Sequence, residues 1–155
     1  MKPSSITAAD IYAGDSLGST SVALVRGGVI EIRYDQYTSR ATAMRSFERA
    51  GELLRENPGA HGLLLSMLTA VGHDPGNTAL GVRWINEFRG QVQRAAMLTR
   101  SQSILTLAPI AKVMCPWLEV QVFAIRDEAL TWCERAATST SQTHVRTVGG
   151  RRNTA

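Results

Sequence analysis

The sequence predicts an α/β domain in which a compact, mixed and mainly parallel sheet is packed against helices. Residues 63–68 (Leu-Leu-Leu-Ser-Met-Leu) are apolar on both faces, as in a central parallel strand that helices cover on each side. Strand-like and helix-like periods alternate from Ser39 onward, and the connections are long enough for right-handed parallel crossovers. The expected element order is β-β-α-β-α-β-α-β-α.

The first two strands are predicted to form a β-hairpin. Residues 21–25 and 29–34 flank Gly27-Gly28, and apolar and polar residues alternate along the second strand. Because the glycine pair joins two strands, it indicates a turn and not a phosphate-binding loop.

The period then becomes that of a helix. Thr38 or Ser39 can cap its start, and the Asn-Pro-Gly sequence at 57–59 ends it. Its opposite face carries charges of both signs, which is typical of a solvated surface. The residues expected to face the core are Met44, Phe47, Gly51 and Leu54.

The central strand is followed by a second helix. Asp74 is expected to be its N-cap and Pro75 its first residue, and the helix ends at Gly90. The residues expected to face inward are Gly81, Trp84, Ile85 and Phe88.

Strands over 92–98 and 118–124 enclose a third helix. Ser101 or Ser103 can cap it, and Pro109 predicts a late start or a kink, because proline within a helix removes a hydrogen bond. The strand over 118–124 alternates and is expected nearer the sheet edge. A last helix begins at about Asp127, with Leu130, Cys133 and Ala137 on one face.

The composition predicts one domain with two peripheral segments. Residues 1–19 are expected to form a flexible arm, residues 20–137 the domain, and residues 138–155 a disordered basic tail. The tail's three arginines supply three of the four net positive charges, which leaves the domain nearly neutral. Nucleic-acid binding by the folded part is therefore not expected.

Other classes are disfavoured by simple features. No apolar run approaches the roughly 20 residues of a membrane span, and residues 1–10 lack the apolar stretch of a signal peptide, so a cytoplasmic protein without membrane contact is expected. Cys115 and Cys133 are the two cysteines, without metal-ligand spacing, and are expected to be buried reduced thiols. We expect no metal and no cofactor.

A family resemblance rests on the closing strand and helix. Residues 122–133 (Val-Phe-Ala-Ile-Arg-Asp-Glu-Ala-Leu-Thr-Trp-Cys) are similar to the F-x-x-x-x-E-A-x-x-W-L ending of bacterial STAS-like proteins. With the order of elements over 20–137, this ending resembles the STAS fold of the anti-sigma factor antagonists, the SpoIIAA-like family. The resemblance implies a non-catalytic regulatory module that docks on a protein, such as a kinase or an anti-sigma factor.

The resemblance also points to a docking edge between the central strand and the second helix. Regulated members carry a phosphorylatable serine there in a D-S-S-G turn, but this chain has no serine in that turn. Thr78 is the nearest hydroxyl and is the candidate phosphorylation site. The partner-binding residues that the resemblance implies are His73, Asp74, Gly76, Asn77 and Thr78.

Three features of the sequence suggest alternatives to a protein-interaction module. The Gly-Asp-Ser-Leu sequence at 14–17 matches the nucleophile block of GDSL esterases, but their other blocks are missing, so it is interpreted as accidental. His73 and Asp74 follow the central strand where α/β sheets bind ligands, but the favoured interpretation is that Asp74 caps the helix and His73 is a loop residue. Trp84, Phe88, Trp117 and Trp132 could line an apolar pocket, but they are interpreted as core. A domain that binds a nucleotide or apolar molecule in the crevice at the carboxyl ends of the strands is the second hypothesis. The oligomeric state is not indicated.

Overall fold

The structure is a computed structural model that describes residues 11–135. Within them one sheet has the strands β1 (Ile11–Gly14), β2 (Gly18–Val25), β3 (Val29–Thr38), β4 (Gly62–His73), β5 (Arg94–Leu98) and β6 (Glu119–Phe123). The helices are α1 (Arg40–Glu56), α2 (Asn77–Glu87), α3 (Gln102–Leu105), α4 (Leu107–Met114) and α5 (Arg126–Glu134).

The sheet is mixed and mainly parallel, as predicted. The strands lie in the order β1-β2-β3-β4-β5-β6, with antiparallel pairing from β1 to β3 and parallel pairing from β3 to β6. Each parallel pair is therefore joined by a helical crossover. β6 lies at one edge of the sheet, where the sequence analysis placed it.

One strand was missed. Residues 11–19, expected in a flexible arm, form β1, its turn and the start of β2, and Ala13 is buried. The composition is rich in small and polar residues, but pairing with β2 satisfies the backbone of this segment, and this tertiary contact overrides local preference. Residues 1–10 and the predicted tail at 138–155 lie outside the described residues.

The missed strand leads to a test of the domain boundary. We expect a fragment of residues 20–137 to be less stable than one of residues 11–137. Removing β1 exposes the surface that Ala13 contacts and leaves the edge of β2 without its hydrogen-bonded neighbour. Urea unfolding of the two fragments measures the difference. Equal free energies of unfolding would restore the boundary at residue 20.

The hairpin turn has the geometry that its glycines permit. Gly27 and Gly28 have φ of 70° and 73°, in the left-handed region that side chains disfavour. They join β2 and β3 and contact no helix start, so the interpretation as a turn is confirmed.

Helix α1 begins and ends where the sequence indicated, but its buried face is rotated. Ser39 Oγ accepts a hydrogen bond from Thr42 N at 3.2 Å, and Asn57 is the C-cap. Met44 was expected inward and is 51% exposed, because small residues face the sheet at close range. The buried residues are Thr42, Ala43, Ser46, Ala50, Gly51, Leu53 and Leu54.

The sheet has a core on each face. Leu63 of β4 belongs to the larger cluster, with Trp84, Ile85 and Phe88, as expected for α2. Leu64 belongs to the smaller cluster, beneath α5. The two-sided packing of β4 is confirmed for these neighbours. Beyond them the prediction is wrong in part, because Leu65 is only partly buried and Leu68 is 43% exposed.

The third helix is divided, as Pro109 indicated. α3 ends at Leu105, and α4 begins at Leu107, so Pro109 lies in the first turn of α4, where its missing N–H is tolerated. Cys115 and Cys133 are both buried free thiols, as expected.

Candidate functional site

The candidate site lies at the carboxyl ends of β3 and β4, where the chain turns into α2. His73 pairs with Thr38 in the parallel register, and the turn of residues 74–76 leads to Asn77 as the first residue of α2. All five predicted site residues therefore lie in one short segment at the edge where open α/β sheets bind ligands.

The helix start differs from the expected one. Asp74 does not cap α2: its Oδ1 accepts a hydrogen bond from Gly76 N at 2.8 Å, and its backbone oxygen accepts one from Asn77 N at 3.0 Å. This is a turn stabilised by an aspartate side chain, which competes with the N-cap geometry. The N-cap is Gly76, and Pro75 lies in the turn and not in the helix.

His73 and Asp74 do not form a catalytic pair. His73 Nδ1 lies 2.9 Å from the backbone oxygen of Asp74, while the Asp74 carboxylate is engaged by Gly76. An imidazole bonded to a carbonyl oxygen is not oriented by a carboxylate, as a general base of a triad is. The geometry fits a structural residue at the end of β4.

Asn77 is the most constrained residue of the segment. It is 9% exposed, and its Nδ2 donates to Thr38 O at 3.0 Å, the same oxygen that accepts from Asp74 N. This bond fixes the amide orientation, since the flipped amide would place two oxygens together. Oδ1 is then buried without a hydrogen-bond partner among the described residues.

A local irregularity in β3 lies near the same carboxyl edge of the sheet. Gln36 has φ of 61°, and the register with β4 shifts on both sides of it. Gly18 of β2 packs against this bulge, where a Cβ would collide with the backbone oxygens of Asp35 and Tyr37. Bulges re-aim strand ends beside functional sites, and no feature of the sequence indicated this one.

A cavity extends from the turn into the larger core. Its volume is about 170 Å³, and its wall is almost entirely apolar. The lining residues come from β3, β4, β5, α1, α2, α3 and α4, with the turn at one end. They include Tyr34, Leu65, Met97, Ile104, Leu107 and Ala111 and, at the turn, Gly72, His73, Asn77 and Thr78.

The cavity is open to solvent, and several of its lining residues, among them Tyr34, Leu65, Val82 and Ala111, are only partly buried. Sequence reasoning missed these residues because a cavity wall has the same apolar pattern as a core.

The aromatic residues are divided between structure and site. Of the four considered from the sequence, Trp84 lines the cavity, stacked on Phe47 at 5.2 Å between centroids. Its Nε1 lies 3.3 Å from the place of a Cβ on Gly51, so it faces α1 and has no hydrogen-bond partner among residues 11–135. Phe88 packs on Trp84, whereas Trp132 packs on Phe123 on the opposite face.

The Gly-Asp-Ser-Leu segment is a structural turn between β1 and β2. Asp15 Oδ1 accepts from Leu17 N at 2.8 Å and from Gly18 N at 3.2 Å, and Oδ2 accepts from Ser39 Oγ at 2.6 Å. These bonds, that from Ser39 foremost, lower the pKa of Asp15 below its ordinary value of 3.8. The aspartate thus holds the turn against the start of α1.

This assignment predicts opposite effects of two neighbouring substitutions. Asp15→Ala is expected to lower the melting temperature, because four donors lose their acceptor, while Ser16→Ala leaves it unchanged because Ser16 is exposed. Since the folded pKa is depressed, the difference between Asp15→Ala and the native chain should vanish as the pH falls below 3.8. Thermal melts from pH 2 to 7 measure it. Ester hydrolysis that Ser16→Ala abolishes would instead identify a nucleophile.

Two further features bear on the class of site. Among residues 11–135, no three His, Cys, Asp or Glu side chains converge in a way that could hold a metal ion. In the same part of the chain, no helix combines the length and apolar character of a membrane span.

Solved structures of other proteins share this architecture. An uncharacterised protein of the DUF3478 family from Shewanella loihica PV-4, described as having a SpoIIAA-like fold, superposes with a TM-score of 0.59 at 12% identity, over 78% of this chain and 98% of that one. The Bacillus cell fate determinant SpoIIAA in its phosphorylated form gives a TM-score of 0.57 at 14% identity, over 73% and 97%. The chain has the SpoIIAA-like fold.

The same fold is seen in a second state of that relative. The anti-sigma factor antagonist SpoIIAA in its unphosphorylated form gives a TM-score of 0.58 at 14% identity, over 73% of this chain and 94% of that one. No family model matches the sequence, and no curated protein matches it. The STAS-like fold expected from residues 122–133 is confirmed, while identities of this size establish the fold alone.

Proposed function

We propose that the protein is a non-catalytic, cytoplasmic regulatory module that docks on a partner protein through the turn of residues 73–78 and the first turn of α2. The observation that supports it most is the SpoIIAA-like fold, which it shares with an anti-sigma factor antagonist. A regulatory kinase or an anti-sigma-like factor is the proposed type of partner. The buried, reduced state of both cysteines accords with the cytoplasm.

The geometry of the turn supports docking there. Its backbone is fixed by the hydrogen bonds of Thr38 O and Asp74, so it presents a rigid surface. The exposed residues of the segment are Pro75 and Ala79, while Asn77 is buried and contributes through the turn's shape. Rigid surfaces lose little entropy on binding.

Thr78 is the proposed regulatory position. It is the second residue of α2 and is partly buried, so a phosphate there would meet the free amides of the helix start. The added charge would also alter the docking surface. This proposal rests on the docking proposal.

A charge at the helix start tests the docking surface. Ala79→Arg is expected to reduce partner capture at least tenfold, through an unmatched charge and a steric block, with an unchanged melting temperature because Ala79 is exposed. Thr131→Arg is the control, since it adds the same charge on exposed α5 across the sheet. Affinity purification from source cells with quantitative mass spectrometry compares the variants.

The outcomes separate the surface from its regulation. A stoichiometric protein retained by Thr131→Arg and lost by Ala79→Arg supports the docking surface, and equal capture by both removes it. Thr78→Glu imitates the phosphate and should weaken capture of the same protein. A folded Thr78→Glu that captures it fully would exclude Thr78 as the regulatory position.

The cavity favours a second candidate function. A domain that binds a small apolar molecule was the alternative from the sequence, and an apolar cavity of about 170 Å³ beneath the same turn fits it. The two functions are compatible, because the turn is both part of the cavity wall and part of the proposed docking surface.

A further inference from the structure

The cavity beside α2 is long and narrow. Its lining on β4 runs from Leu63 to His73, and the strand between Leu63 and Gly72 extends over roughly 30 Å, at about 3.3 Å per residue. The volume of about 170 Å³ is close to that of an engineered cavity of about 150 Å³ that holds one benzene ring. Spread along the strand, such a volume matches an extended chain and not a compact ring.

The wall offers an occupant almost no hydrogen-bonding group, since it is almost entirely apolar. A peptide segment would bury its amides there without partners, which is unfavourable for each of them. A charged group inside would be more unfavourable still. The part of an occupant that lies inside the cavity is therefore hydrocarbon.

The opening of the cavity has a cation on each of two sides. Val82 of α2 and Ala111 of α4 line the cavity and are only partly buried, so they border the opening. The residues that follow them, Arg83 and Lys112, are exposed and form no ion pair within residues 11–135. Consecutive helical residues point about 100° apart, so both cations lie beside the opening and not in it.

The charge on the α3 and α4 side of the cavity has one sign. Residues 88–118, which include both helices, carry four cations and no acid. Two of the cations have partners, Arg94 in an ion pair and Arg89 over an indole ring. Arg100 and Lys112 have none in the described part of the chain. A positive rim around an apolar interior complements an anionic head on a hydrocarbon chain.

We propose that the cavity binds one free fatty acid of medium length, with its chain along β4 and its carboxylate in water beside Arg83 and Lys112. The inference rests on the second candidate function, the binding of a small apolar molecule, and names the class of that ligand. No charge is buried in this arrangement. One narrow cavity holds one chain, which favours a free acid over a two-chain phospholipid.

A series of chain lengths tests the shape. Hexanoate, octanoate and decanoate are expected to bind at one site per chain, with affinity rising roughly threefold for each added carbon, because each buries further apolar surface. Isothermal titration calorimetry and NMR measure it, with toluene as the compact probe. Toluene binding with no rise beyond hexanoate would overturn the fatty acid but keep the apolar-molecule function. No saturable binding of any probe would remove both.

The charge of the head is tested separately. Decanoate is expected to bind at least threefold more tightly than 1-decanol at low salt, and the difference should shrink at high salt. The double variant Arg83→Gln and Lys112→Gln should lose this preference. The control with the same net charge, Arg40→Gln and Arg45→Gln, changes exposed residues of α1 outside the cavity wall and should keep it. A preference unchanged in both double variants would contradict the placement of the carboxylate.

Substitutions in the wall locate the chain. Ala70→Leu on β4 and Ala111→Leu on α4 enlarge partly buried wall residues and should weaken decanoate binding at least tenfold with little change in melting temperature. Ala41→Leu, at an exposed position of α1, is the control and should bind as the native chain does. Normal decanoate binding by both folded wall variants would place the site elsewhere.

The outer side of α4 makes a membrane surface the alternative occupant. Ile110, Val113 and Met114 are exposed there, 45%, 78% and 53% respectively. Cosedimentation with phosphatidylglycerol vesicles distinguishes the two sources of an acyl chain. Vesicle binding without saturable binding of decanoate would overturn the proposal and identify α4 as a membrane contact.

Discussion

Leu64→Ala is expected to lower the free energy of unfolding by about 2–5 kcal/mol, close to the range measured for buried leucines in packed cores. Leu64 is fully buried on the face of β4 that α5 covers. The cluster beneath α5 is small, so removing its central side chain leaves a void that few neighbours can fill. For a domain whose total stability is about 5–15 kcal/mol, the loss is a large fraction. Its buried members are Val29, Leu64, Ala96, Leu98, Ala129, Leu130 and Cys133.

The same strand provides a matched control. Leu68 lies four residues further along β4, at the register shift with β3 that follows Ser66, and is 43% exposed. Leu68→Ala should therefore change stability by less than about 1 kcal/mol. Urea unfolding of both variants decides the matter. Equal losses at the two positions would mean that α5 does not bury Leu64 as the structure describes.

The fold was predictable because its strongest signals are local and agree with one another. The apolar run at 63–68, the Asn-Pro-Gly stop at 57–59 and the proline at 109 each have one dominant structural solution. β1 lacked such a signal, since residues 11–14 become a strand only by pairing with β2. The predicted burial of Met44 was wrong for a related reason. Helical spacing predicts which residues share a face of α1, but the surface on which the helix packs decides which part of that face is buried.

The segment proposed as a site was found from the sequence, but its geometry was not. The family resemblance points to this segment, and Asp74 and Pro75 were interpreted as the start of α2. Whether the Asp74 carboxylate accepts from the helix start or from its own turn depends on the backbone geometry of the turn, which the residue types leave open. The cavity could not be predicted either, because Met97 and Ile104 have the pattern of filled core.

A buried ion pair joins the closing helix to the sheet. Glu31 of β3 is buried, and its carboxylate oxygens accept from Arg126 Nη2 at 2.5 Å and from Arg33 Nε at 2.7 Å. Burial on its own would raise the pKa of Glu31, but the hydrogen bonds and charges of Arg126 and Arg33 outweigh it and hold the pKa below 4.5. The ion pair of Glu31 and Arg126 joins β3 to α5, and so it helps to hold in place the helix that carries Trp132 and Cys133.

Arg126→Met is expected to destabilise the chain by about 1–3 kcal/mol at pH 7, because it leaves a buried carboxylate with only Arg33. The loss is less than the roughly 3–5 kcal/mol of a fully buried pair, since Arg126 is 37% exposed and water screens it.

Because the pKa of Glu31 is depressed in the native fold, the stabilisation by its ionised carboxylate is present above pH 4.5 and is lost as the pH falls through the folded value. The difference between Arg126→Met and the native chain should therefore shrink in acid, as protonation of Glu31 removes the buried charge from both. Chemical unfolding at pH 7 and pH 3 measures it, with Arg45→Met at an exposed position of α1 as control for loss of an arginine. A difference that stays constant across this range would show that Arg126 acts by packing alone.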